Sequence, residues 1–178
     1  MVGFVGVAVF KIEDNRDDLK RSLRELLKRS VLVGVTEDTS NVGVQNGAIN
    51  NAAKAYLNDN GAPEVNIPQR EFMRPGIERA SDELSNIFAD AVRAQLAGNA
   101  VGVDAALNQA GARGQAAIVN EIDTGPLEPG GRQLSPVTLA LRKEGRARIG
   151  DPNRTPFAGE EPLVETGALV QSITYVVE

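Results

Sequence analysis

At 178 residues the chain is long enough for one domain with a sizeable core, and a second full domain would be cramped. Its 42% hydrophobic and 24% charged residues describe an ordinary globular protein, and 4% aromatics without Trp leave the core to Val, Leu, Ile and Ala. A net charge of −5 argues against a general nucleic-acid coat, and the lack of any Cys or His excludes disulfides, thiolate nucleophiles, imidazole bases and the commonest zinc ligands. Only carboxylate, Lys, Tyr or substrate-assisted chemistry remains, so a non-enzymatic protein without a cofactor or bound metal is expected.

Phe4–Ile12 is rich in β-branched and aromatic residues and reads as a strand. Phe4, Gly6, Ala8, Phe10 and Ile12 form one row and Val5, Val7 and Val9 the other. With both rows apolar, the strand is expected to be covered on both sides or paired with a neighbouring subunit. The apolar run Met1–Phe10 is too short to span a bilayer and has no export leader, so a cytosolic product is expected. Asp14 or Asn15 caps a helix whose acidic start (Asp17, Asp18) and basic end (Lys28, Arg29) complement its dipole. Leu19, Leu23, Leu26 and Leu27 give it a stripe to pack on the sheet. Val31–Val35 is a second strand, completing a β-α-β start, and Thr36–Gly47 reads as a flexible loop or arm with few anchors.

Ala48–Leu57 is a short helix with Ile49, Ala52, Ala53, Tyr56 and Leu57 along one side, stopped by Asn60-Gly61. Gly61–Arg74 is an extended connector punctuated by proline and pinned by Ile67, Phe72 and Met73. Pro75–Ala97 reads as one long helix starting on Pro75 and stopped by Gly98. Its stripe holds Ile77, Ala80, Leu84, Ile87, Phe88, Ala91, Gln95 and Leu96, and Phe88→Ala is expected to be among the more damaging changes. Asp104 caps a further helix to about Ile122 whose face is small. Gly111 and Gly114 cost that helix up to about 1 kcal/mol each against Ala, which suggests either close backbone approach or a kink. A Gly/Pro loop spans 123–133, Ser135-Pro136 starts a short helix to Lys143, and 145–161 is irregular. Thr166 caps a helical turn to Gln171, and Ser172–Val177 returns as a strand.

Three stretches carry a resemblance. Ile67-Pro68-Gln69-Arg70-Glu71-Phe72-Met73-Arg74-Pro75 resembles the Ile-Pro-x-Arg-Pro-Phe-x-Arg-Pro signature of tailed-bacteriophage neck and tail-completion proteins, the virion-morphogenesis and minor tail-component families. Leu134-Ser135-Pro136-Val137-Thr138 resembles their Leu-Ser-Pro-x-Thr step. Pro162–Tyr175 is similar to their Pro-Leu-x-x-Thr-Gly-x-Leu-x-x-Ser-Ile-x-Tyr ending. The chain departs at Glu71, where proline is usual, and Tyr56–Gly61 replaces a common His-Glu-Phe-Gly segment.

The resemblance implies a structural virion protein at the head–tail junction, assembled in the host cytoplasm. Its partners would be copies of itself in a ring (a hexamer or dodecamer) and the connector or portal-adaptor, tail-terminator or tube proteins, with no membrane. Ile67, Arg70, Phe72, Met73, Arg74, Thr166 and Leu169 are the interface candidates, and intramolecular core is the alternative for the apolar ones. The segment 132–154 is basic: Arg142, Lys143, Arg146 and Arg148, with Arg132 and Arg154, face only Glu144 and Asp151. It would suit non-specific DNA contact or an acidic partner. A collar or connector subunit decorating the neck, or a DNA-contacting module, are the other readings. The expected fold is one α+β domain over 1–178, with a small mixed or antiparallel sheet from the N-terminal and C-terminal strands packed by several helices.

Overall fold

A 25-residue helix without a single large aromatic, Ala100–Thr124, is the element on which the rest is laid. The computed structural model describes residues 16–42, 44, 49–127, 129, 131–143, 163 and 167–178. In chain order these form α1 (Arg16–Leu26), β1 (Val31–Val35), α2 (Asn51–Asn60), a 3-10 turn (Pro63–Val65), α3 (Met73–Arg79), α4 (Ser81–Leu96), α5 (Ala100–Thr124), α6 (Pro136–Lys143), α7 (Ala168–Ser172) and β2 (Ile173–Val177). The architecture is α+β, with β1 and β2 paired antiparallel from Val31 opposite Val177 to Val35 opposite Ile173. The expected Phe4–Ile12 strand and the 145–161 loop lie outside the described residues.

The two halves of α5 serve two cores. Val103, Ala106, Leu107 and Ala110 pack with Ile87 and Ala91 of α4. Ile118 and Ile122 pack with Ala55, Phe72, Leu127, Leu169 and Ile173. The sheet seals both, through Val31 and Val177 on the first and Val33, Val35 and Ile173 on the second. Between the halves sit the two glycines. A Cβ on Gly111 would collide with the Tyr175 ring, and one on Gly114 would lie 3.0 Å from Val33 Cγ2. Of the two readings of these glycines, close approach is the right one, and it is β1 and β2 that approach.

Several boundaries move for identifiable reasons. The long helix expected from Pro75 begins instead at Met73 and breaks at Ala80 (φ −92°, ψ 1°). Gly76 lies against the backbone of Ala117 and Ile118, where an added Cβ would sit 3.0 Å away, so α3 is drawn hard onto α5 before the chain turns. The end at Gly98 is as expected: with φ +68° it lets Asn99 N–H reach the Ala94 carbonyl and its own N–H reach Gln95, a Schellman cap. Asn99 then caps α5 by accepting from Gly102 N–H, a full turn before Asp104, which pairs with Arg29 at 3.0 Å instead.

Phe88 is 43% exposed, contrary to expectation, because α4 meets α5 along Ile87 and Ala91, with Ala106 and Ala110 of α5 in the same cluster. Leu19 and Leu27 are exposed too, and α1 packs on α4 where the sheet was expected. On α2 the buried side chains are Asn51 and Ala55, with Tyr56 outside, and Ile49, exposed, precedes the helix that was expected to include it. The described part of the 36–47 stretch is anchored: Thr39 Oγ1 donates to Ser172 O at 2.7 Å, and Asn51 N–H donates to Ser40 O at 2.7 Å.

Candidate functional site

The connector between α2 and α3 is held at every step. Gly61 (φ +77°) ends α2, and a Cβ there would sit 2.8 Å from Gln69 N. Ala62 and Ile67 exchange backbone hydrogen bonds at 2.8 and 3.0 Å around the 3-10 turn. Arg70 is buried; its backbone N–H donates to Asn58 O at 2.7 Å, and its guanidinium to Gly131 O at 3.0 Å and Gln133 O at 3.1 Å. A buried cation is costly unless its hydrogen bonds are made, and here charge-assisted bonds tie the connector to the loop before α6. Phe72 is fully buried. Asp59, at the end of α2, accepts from Phe72 N–H and Met73 N–H at 2.9 and 3.1 Å, so α2 caps α3. Pro75 occupies the third position of α3, still within the first turn, where no intrahelical donor is lost.

Phe72 and Leu169 thus meet, with the partly buried Met73 packed against them, in one intramolecular core, the alternative raised for the apolar candidates. Ile67 is half-buried and serves the connector's own bridge. Arg74 is exposed, paired with Glu71 and, at 3.1 Å, with Glu78. Its pKa is raised above the usual guanidinium value by its hydrogen bonds to Glu78 and Glu71. Glu71, the departure from the phage-type motif, also accepts from Gln69 at 2.8 Å. Thr166 lies outside the described residues, and α7 is entered through Gly167 at φ +67°.

The basic segment loses one member. Arg132 caps the C-terminal end of α5, donating to the carbonyls of Ile122 (2.9 Å), Gly125 (3.0 Å) and Asp123 (2.7 Å). Cations there complement the helix dipole, so this residue belongs to the fold. Arg142 and Lys143 lie on α6, and Arg146 and Arg148 lie outside the described residues.

What remains for a partner is a surface that sequence reasoning did not single out. The face of the sheet away from α5 carries Leu32 opposite Val176, 53% and 40% exposed, beside Gly34 opposite Thr174. Ser30 and Glu178 exchange both backbone hydrogen bonds at 2.9 Å, which sets the ladder's phase: residues 32 and 34 bond to β2, and those of Val31, Val33 and Val35 point to the outer edge. Among the described residues no hydrogen bond is made to that edge. The opposite edge is partly occupied, since Gln115 Nε2 donates to Ile173 O at 2.7 Å. Near the Val35 end, a cleft of about 160 Å³ opens between Val35, Ala55, Asp59 and Met73, with Tyr56 at its rim, 67% exposed. Alternation along β2 was readable in advance, but which row would be left outside depends on α5 and was not.

Among the described residues Glu121 is the buried charge outside the connector. Its partner is Arg79, and its Oε1 is the one buried side-chain atom without a hydrogen bond among the described residues. It lines neither the Val35 cleft nor the shallow depression along 60–69. No group of three or more acidic residues among the described residues is arranged to hold a metal, and no described helix is long and apolar enough to cross a membrane. Compared with models of protein families, with curated proteins and with solved structures, the chain matches none.

Proposed function

We propose that this chain is a structural subunit of a tailed-phage head–tail junction, a neck or tail-completion protein that works through protein contacts and not through catalysis. It forms a homo-oligomeric ring, hexameric or dodecameric, that meets connector or portal-adaptor proteins on one side and terminator or tube proteins on the other, so that a finished tail can attach. A closed ring is made by two different patches of one subunit meeting around the axis.

One observation carries the reading. The three stretches that resemble the phage proteins are far apart in sequence and converge in space. Arg70 of the first holds the Gly131 and Gln133 carbonyls, directly before the second at Leu134–Thr138. Phe72 of the first shares a core with Leu169 and Ile173 of the third. Ser135 of the second caps its own helix, accepting from Thr138 N–H at 3.1 Å. Short matches arising by chance have no reason to sit at the joints of one fold, so their convergence supports a shared architecture. The test is to mix the purified chain with tails and DNA-filled heads and image the particles. A ring at the junction and restored joining are expected; a chain that binds neither particle would overturn the proposal.

A further inference from the structure

Strand β1 reads Val-Leu-Val-Gly-Val, and nothing in it protects an edge: no Lys, no Pro and no inward charge. Its outward N–H and C=O groups at Val31, Val33 and Val35 have no partner among the described residues. Beside them the apolar pair Leu32 and Val176 stands in water. Helix α5 supports this two-stranded sheet on one face, and a third strand at the open edge would pair the outward groups of β1.

The chain carries one segment suited to that slot. Phe4–Ile12 is β-rich and apolar on both rows, so it needs cover on both faces as well as a ladder. In a β-α-β unit of one chain the intervening helix packs on the sheet; α1 makes its main contacts with α4, and pairing within one chain is an outcome the test below separates from pairing between two. We infer that the outer edge of β1 is a docking site for the Phe4–Ile12 strand of a second copy of this chain. The inference rests on the ring proposed above and names its side-to-side contact: the N-terminal segment of one subunit and the β1 edge of the next are two different patches, as a closing ring requires. Strand addition also explains why that edge carries neither charge nor proline: in the assembly it is not an edge.

The absence of cysteine allows a direct test on the full chain. Val5→Cys, Val7→Cys and Val9→Cys are made singly and each is mixed with a second preparation carrying Leu32→Cys, whose side chain is exposed and outside both cores. Phe88→Cys, exposed on α4, replaces Leu32→Cys as the control. Mild oxidation is followed by denaturing electrophoresis, with native mass recorded before oxidation and folding checked by circular dichroism. The expected result is a crosslinked pair between the N-terminal variants and Leu32→Cys, at least about tenfold above the Phe88→Cys control, as a contact worth some 1.4 kcal/mol or more would give. Rings that yield no such pair, or a chain carrying both cysteines that closes only on itself, would overturn the docking inference and leave the assembly proposal standing. Crosslinked pairs without a ring would keep the docking site and remove the ring. Neither pairs nor rings would remove both.

Discussion

The two faces of the β1–β2 sheet are built from alternate residues of the same ten, yet they have opposite surroundings. Toward α5, Val33 and Tyr175 approach so closely that Gly114 and Gly111 are needed beneath them. Away from α5, Leu32 and Val176 touch open space on a strand whose edge is unpaired among the described residues. Side-chain type distinguishes the rows only weakly, since the outer one sets the apolar pair Leu32 and Val176 beside Gly34 and Thr174. The difference lies in what the rest of the chain brings to each side: the inner row is covered by α5 and makes the fold, and the outer row and edge are left without cover among the described residues.

The inner face is where substitution should cost most. Ile173→Ala, at a fully enclosed site, should lose about 3 kcal/mol of unfolding free energy in denaturant titration; a loss as small as that of a surface change would contradict the packing. Gly111→Ala sharpens the point, because helix propensity alone would make it stabilising by about 1 kcal/mol. Against the Tyr175 ring it should instead destabilise by about 1–3 kcal/mol. In a Tyr175→Ala background the same change should be neutral or favourable, and the coupling energy of that double-mutant cycle measures the contact. Next in size is Arg132→Met, which leaves the carbonyls of Ile122, Asp123 and Gly125 without their donor and should cost about 2 kcal/mol. On the open side, Phe88→Ala and Leu32→Lys should each stay within about 0.5 kcal/mol of the parent. A large loss from either would mean that the surface is less open than its exposure indicates.

How much of this could be read in advance varied with the kind of signal. Local backbone chemistry was legible: the Gly98 stop, the Ser135-Pro136 start and the paired strands Val31–Val35 and Ile173–Val177, while Gly111 and Gly114 left close approach and a kink open until the sheet was placed on them. Facing was less so. Phe88 looks like a core residue by size, but α4 meets α5 through Ala91, and packing of small residues carries a weak hydrophobic signal. Asn51 was invisible to periodicity because its burial is polar: its Nδ2 donates to Val42 O at 2.8 Å and Ala168 O at 3.2 Å. The break at Ala80 falls within Ile77–Asp82, which holds no Gly or Pro, after Gly76 has brought α3 onto α5.

The candidate site divides the same way. Seven residues near the connector and near the C-terminal turn were candidates for partner contact, chosen by resemblance and by apolar character. Phe72 and Leu169 turned out to hold the core, and Arg70 to bind a loop. Charge counting likewise placed Arg132 in a basic cluster, although its three acceptors are backbone carbonyls at a helix end that no composition window reveals. The outer edge of β1 could be found only once the ladder's phase was known from Ser30 and Glu178.

The proposed division between an inner face that folds and an outer edge that assembles is tested most directly by sedimentation of the full chain beside its Leu32→Lys variant, with thermal unfolding of both. The account predicts a defined oligomer for the parent, and for the variant a shift to monomer at the same concentration with an unchanged unfolding temperature. A variant that assembles like the parent, or one that loses stability as fast as it loses assembly, would contradict it.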